Sequence, residues 1–238
     1  MGQRTAGQAM TRKKEIKWLA LAALIPIVTY LWDLWYYGGL YRSGQLLSAS
    51  KVTPDTLLST LAQNTVVLLP QLLAGAAALV LLGQERFTEE MGLRVQRQKK
   101  TALLLVAGAC LLALAAAFLL VKAEPLAIGY QWVYYLLFVA LTEEFTFRGL
   151  LPFLVEKSGA PVWVVWIFPG VMFSCMHTLI PMTYNGFTLK VFIWSALSML
   201  GGYTVGHCGF YALRRWSGTL WLPVLVHGTL DFLSIFLK

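Results

Sequence analysis

Three short runs gather ionisable side chains inside otherwise apolar stretches of this 238-residue chain. They are LTEEFTFRG, which carries Glu143, Glu144 and Arg148; FSCMH, which ends on His177; and HGTLD, which carries His227 and Asp231. An ionisable group within a membrane helix costs about 2.5–3.5 kcal/mol or more, so each of these needs a reason to be there. Glu144 and Arg148 stand at i and i+4, share a helix face and can pair; His227 and Asp231 have the same spacing. Glu143 points about 100° away round the helix, so one arginine does not easily serve both carboxylates. That leaves Glu144 as a salt-bridged anion and Glu143 free to act as a general base.

Peptide hydrolysis needs this inventory: a base for water, donors for the tetrahedral oxyanion and an acid for the leaving amine. Each run alone has a structural explanation. An acidic pair with an arginine suits a helix end, a lone histidine on an apolar helix suits hydrogen-bonded packing, and a His–Asp pair suits capping. Together, in three lipid-embedded segments, they favour a single polar cavity. Serine or cysteine nucleophiles do not compete, because Ser174 and Cys175 fall away from the side-chain face of His177. His207 is set aside as a packing residue.

At these residues the sequence resembles the CAAX-protease and bacteriocin-processing family (CPBP, or ABI), whose best-known branch is the Rce1-type prenyl-protein endopeptidases. The family pattern runs EExxxR, FxxxH, Hxxx(N/D), matched here by Glu143-Glu144…Arg148, Phe173…His177 and His227…Asp231. The flanks Phe147-Arg148-Gly149 and GTLWLPVLVH match too, and the motifs span 143–231, a little over a third of the chain. The resemblance implies a glutamic intramembrane endopeptidase. In it Glu143 activates water, His177 helps to position that water, and His227 with Asp231 stabilises the oxyanion. Glu144, Arg148 and Phe173 support the site. Asp231 departs from the Asn familiar in the Rce1 branch. Asn donates a hydrogen bond at any pH and Asp only when protonated, so Asp231 either donates as a neutral acid or acts by orienting and charging His227.

The rest of the chain must hold these groups in a bilayer. It is 58% hydrophobic and only 13% charged, with a mean hydropathy of +0.66. A soluble domain has about a quarter of its residues charged, so the surplus apolar surface must face lipid. Helices need about 20 mostly apolar residues to cross. Seven candidates follow: roughly 16–36, 57–82, 101–121, 130–152, 162–181, 187–210 and 219–237. The expected architecture is therefore an all-α, polytopic helix bundle in one membrane domain, 1–238. It has a basic tail at 1–15, a basic loop at 84–100, and a catalytic core at 130–238 with its polar cavity among the last spans. Gly202 and Gly206, spaced GxxxG, should let helices approach closely there.

The first apolar run is too long for a cleaved signal peptide, Ala6 breaks a myristoylation signal, and no repeat is visible. Cys110, Cys175 and Cys208 are odd in number, lie in apolar stretches and read as small buried hydrophobes. An arrangement with the N-terminus inside leaves only Arg42, Lys51, Lys122, Lys190 and Lys238 outside, of 19 Lys and Arg. This puts the N-terminus, the 1–15 tail and the 84–100 loop in the cytoplasm, with the plasma membrane as the expected location, and with seven spans the C-terminus outside. The net charge of +8 follows from this bias, and no nucleic-acid partner is implied. The partners are the lipid bilayer and a membrane-associated peptide or protein substrate.

No cofactor is expected. Two alternatives use the same pocket. Glu143, His177 and His227 would make a carboxylate-plus-two-histidine zinc set, as in a zinc-dependent membrane metallopeptidase, although there is no HExxH. A non-enzymatic immunity or transport protein would use the buried acids and histidines for protons or ligands.

Two details strain the sequence picture. Glu143 lies about 20 Å, and His177 only about 6 Å, from the outer ends of their assigned spans. A kink at Pro169, or a span that runs past Pro181, would reconcile them.

Overall fold

A computed structural model describes residues 15–237. Most of the proposed 1–15 tail, including Arg4, Arg12, Lys13 and Lys14, lies outside the described residues, as does Lys238. The described chain is all-helical. Its helices are α1 (Ile16–Arg42), α2 (Leu57–Val67), α3 (Leu69–Leu82), α4 (Gln84–Glu90), α5 (Lys100–Leu120), α6 (Pro125–Lys157), α7 (Val162–Met176), α8 (Leu179–Asn185), α9 (Leu189–Ser217) and α10 (Trp221–Leu233).

The all-α membrane class stands, while the count of seven spans is not confirmed. Each expected segment is helical, yet among the described residues only α1, α5, α6 and the run α7–α8 (Val162–Asn185) suffice to cross a bilayer by length and composition. The bent pair α2–α3 makes a fifth if it is one span. Gly, Ser, Thr and His dilute the apolar character of α9, and α10, with 13 residues, reaches only about 20 Å. The side of the C-terminus, which rested on that count, is likewise not confirmed.

Local chemistry explains the irregular helices. The expected span 57–82 breaks by 57° at Leu68, two residues before Pro70. Proline has no N–H for the carbonyl four residues back, which is that of Val66. The indole Nε1–H of Trp32 in α1 donates to that carbonyl instead, at 2.9 Å. The basic loop folds as the short α4 and then turns through Gly92, whose φ of +71° favours glycine. This turn holds the start of α10: the Gly92 carbonyl accepts from Leu220 N–H at 2.6 Å and Thr219 Oγ1 at 3.1 Å. Trp221 Nε1–H donates to the Leu93 carbonyl at 2.9 Å.

The apolar core forms where α1, α3, α6, α7 and α9 meet, around Ala22, Ala78, Leu154, Val165 and Tyr211. A second cluster, Ala117, Ile128, Phe232 and Ile235, joins α5, α6 and the C-terminus. The helix α6 is unusual. Wide π-helical turns occupy Tyr134–Ala140 and Glu144–Leu150, on both sides of a single ordinary stretch, Leu141–Glu143. Such turns often occur at functional sites, because each admits an extra residue and re-aims the side chains beyond it.

Close approach depends on two other glycines rather than on the GxxxG pair. A Cβ on Gly228 of α10 would come within 2.6 Å of Leu136 Cδ2 and 3.1 Å of the Tyr135 carbonyl, so only glycine lets α10 lie against the first π segment. A Cβ on Gly170 of α7 would meet Thr204 and His207 of α9 at 3.1–3.2 Å. Gly202 and Gly206 have nothing within 4 Å; the expected helix contact is absent there, and both line a cavity instead.

Candidate functional site

The depth conflict in the sequence disappears when both helices are measured from their shared end. Glu143 lies 14 residues before Lys157, and His177 lies 15 residues after Val162, so each is about 21–23 Å from the α6–α7 turn. The span also continues through α8 to Asn185, so His177 is internal to it. Pro169 sits inside α7, and the helix ends only at Met176, where His177 becomes the capping residue.

His177 and Phe173 act together. The Phe173 carbonyl can only accept, so His177 Nδ1 donates to it at 2.9 Å. This fixes the ring and turns Nε2 toward Glu143 Oε1, 3.9 Å away. The Phe173 ring packs edge-on to His177 at 4.4 Å and to Phe147 at 5.0 Å. It also lies under the guanidinium of Arg148, 4.3 Å from the ring centre.

His227 is the hub. Its Nδ1 donates to Glu144 Oε1 at 2.8 Å. Its Nε2 stands 3.7 Å from Glu143 Oε2 and 3.4 Å from Asp231 Oδ2. Glu144 and Arg148 are both fully buried, with Nη1 and Oε1 3.1 Å apart. Glu144 is thus more than the partner of Arg148, because the same oxygen orients His227. The two wide turns let adjacent glutamates reach opposite sides of one imidazole.

All seven residues singled out in the sequence come together. Glu143, Arg148, Phe173, His177, His227 and Asp231 line one cavity of about 380 Å³, and Glu144 lies behind His227. Among the described residues, no three His, Cys, Asp or Glu side chains form a group arranged to hold a metal ion. His207 is fully buried against Tyr211 and does not line the cavity.

Sequence reasoning missed two aromatic walls. Tyr203 packs against His177 at 4.2 Å with the rings tilted by 36°, and Phe210 stacks on His227 at 5.0 Å. Both belong to α9, where Tyr203, Gly206 and Phe210 recur at i, i+3 and i+7, a one-face pattern that would have pointed to them. Asp33, an acid within the first apolar run, was also overlooked although its type and setting were visible.

Comparison with known proteins agrees with this geometry. No curated protein and no solved structure matches the chain. Residues 125–233, from the first residue of α6 to the last of α10, match the family described as Rce1-like type II CAAX prenyl endopeptidases. Over that segment, a little under half of the chain, the protein is similar to this family, and the match together with the apolar helices supports an integral membrane peptidase.

Proposed function

We propose that the protein hydrolyses a peptide bond in the tail of a membrane-associated protein or peptide by glutamate chemistry, with Glu143 as the base. The observation that carries this reading is the spacing round Glu143. Its oxygens stand 3.9 and 3.7 Å from the Nε2 atoms of His177 and His227. Those gaps are too long for direct hydrogen bonds and suit a bridging water.

In this mechanism Glu143 takes a proton from water while His177 Nε2 helps to hold it, and the water oxygen attacks the scissile carbonyl carbon. The oxyanion accepts from His227 Nε2–H, with the ring in its protonated form. Glu144 and Asp231 stabilise that positive ring. As the C–N bond breaks, Glu143 passes its proton to the leaving amine. Arg148 anchors Glu144, and through it the ring of His227. The route runs through this chain's own side chains.

The test uses purified protein with a proteome-derived peptide library, and cleavage sites are read by mass spectrometry. Glu143→Gln should lower cleavage by about 10²–10⁴-fold, the range for losing a general base, while leaving the unfolding midpoint nearly unchanged. Wild type should cut equally well in strong chelator. Chelator-sensitive activity restored by zinc would favour the metallopeptidase reading, and an active Glu143→Gln would mean the two carboxylates are assigned the wrong way round.

A further inference from the structure

A second cavity, of about 220 Å³, borders the same centre and shares Val139, Glu143 and His177 with the first. Its remaining walls come mainly from α1, the α2–α3 break and α6. Asp33 of α1 lines it. This side chain is only 7% exposed, and its Oδ1 is buried with no hydrogen-bond partner among the described residues. Gln71, just past the helix break, lines the same cavity, and its Oε1 is likewise buried without a partner.

Two buried acceptors without donors, one of them an acid, set the chemistry of this cavity. A buried acceptor left unpaired is costly, and a buried carboxylate more so, unless a donor of opposite charge meets it. Water would satisfy either acceptor but would not balance a charge. Val67, Leu68, Phe138 and Ile180 supply apolar walls to the same cavity. The volume equals roughly seven waters, or one long side chain. A cavity that combines apolar walls with an acid suits a side chain with an alkyl stem and a cationic head. Asp33 and Gln71 precede residue 125, so the matched family segment does not contain them.

We propose that this cavity is a substrate subsite for one lysine or arginine side chain next to the scissile bond, with Asp33 as its counter-ion and Gln71 as a second acceptor. The proposal rests on the reading of Glu143 and His177 as the hydrolytic centre, because their lining both cavities is what sets a side chain here beside the bond cut.

Two measurements test it separately from that reading. In detergent, n-butylammonium and n-butylguanidinium should raise the unfolding midpoint of the wild-type protein saturably, whereas 1-pentanol should not. Asp33→Asn should weaken that binding at least tenfold. If Asp33→Asn fails to accumulate, Gln71→Leu serves, with a smaller weakening expected. In the peptide library, wild-type cleavage should be enriched in Lys and Arg at one position beside the cut. Asp33→Asn should reduce the ratio of basic to neutral residues there on the order of 100-fold, the scale for removing one partner of a buried charged pair. Equal alkylammonium binding by wild type and Asp33→Asn, no such binding by wild type, or no basic enrichment in wild-type cleavage would each overturn the subsite. A wild type that cuts nothing would count against the hydrolytic reading, and the binding arm would still decide the subsite.

Discussion

The neighbouring helices α5 and α6 are both apolar enough to cross a bilayer, yet they do opposite things. In α5 only 11% of the most apolar window is buried inside the protein, and Leu104, Leu112 and Leu119 are each more than 70% exposed. It is an even helix with no acid and no π turn. In α6 the buried share is three times larger, 33%, and the helix carries Glu143, Glu144 and Arg148 with two π segments around them. Uniform apolarity satisfies lipid on every face. The departures from uniformity in α6 are tolerated because other parts of the protein meet them: His227 meets Glu144, Phe173 meets Arg148, and Gly228 meets the widened backbone. The contrast separates a helix solvated by lipid from one solvated by protein.

If that separation holds, substitutions in the two helices should differ sharply. The largest effect on stability should come from splitting the buried ion pair. Glu144→Gln leaves Arg148 charged, buried and unpaired and should destabilise by about 3–5 kcal/mol. Arg148→Met should do the same from the other side, and Glu144→Leu with Arg148→Met should recover part of the loss. Unfolding in detergent checks this, and an unchanged Glu144→Gln midpoint would break the comparison at its centre. Next comes Gly228→Ala, which must push α10 away from Leu136 and move His227 with it. Overpacking should cost about 1–3 kcal/mol, and displacement of the ring should lower cleavage about 100-fold. A Gly228→Ala enzyme with wild-type kcat would show that α10 tolerates the shift.

Asp231 should matter less. It is 3.4 Å from His227 Nε2, but its side chain is 35% exposed, so solvent screens part of the coupling. Asp231→Asn should lower kcat roughly tenfold, below the range for losing a whole oxyanion donor, and Asp231→Ala should lower it further. An Asp231→Ala enzyme with an unchanged rate would reduce the third motif to His227 alone. The smallest effect belongs to α5. Leu112→Ala, facing lipid, should change stability by no more than about 0.5 kcal/mol and leave the rate alone.

Much of the site was legible before any coordinates. Residue type in an apolar setting singled out Glu143, Glu144, Arg148, His177, His227 and Asp231, because desolvation makes such residues costly wherever they stand. The i, i+4 spacing was enough to pair Glu144 with Arg148, since helix periodicity is local. Other features had no local signal. The bond from His227 to Glu144 joins residues 83 apart in sequence, so no spacing rule reaches it. The two π segments depend on what packs against them, and the short α10 is anchored by the Gly92 turn far back in the chain.

The amino-acid sequence by itself determined the membrane-embedded all-helical class and the ionisable groups of the site, since composition, desolvation cost and helix periodicity act over short stretches. Only the tertiary structure decided which glutamate faces both histidines, that Gly170 and Gly228 rather than the GxxxG pair bring helices together, and that Asp33 stands at a cavity shared with Glu143. Those outcomes depend on backbone approach and side-chain direction between distant segments, which no local pattern encodes.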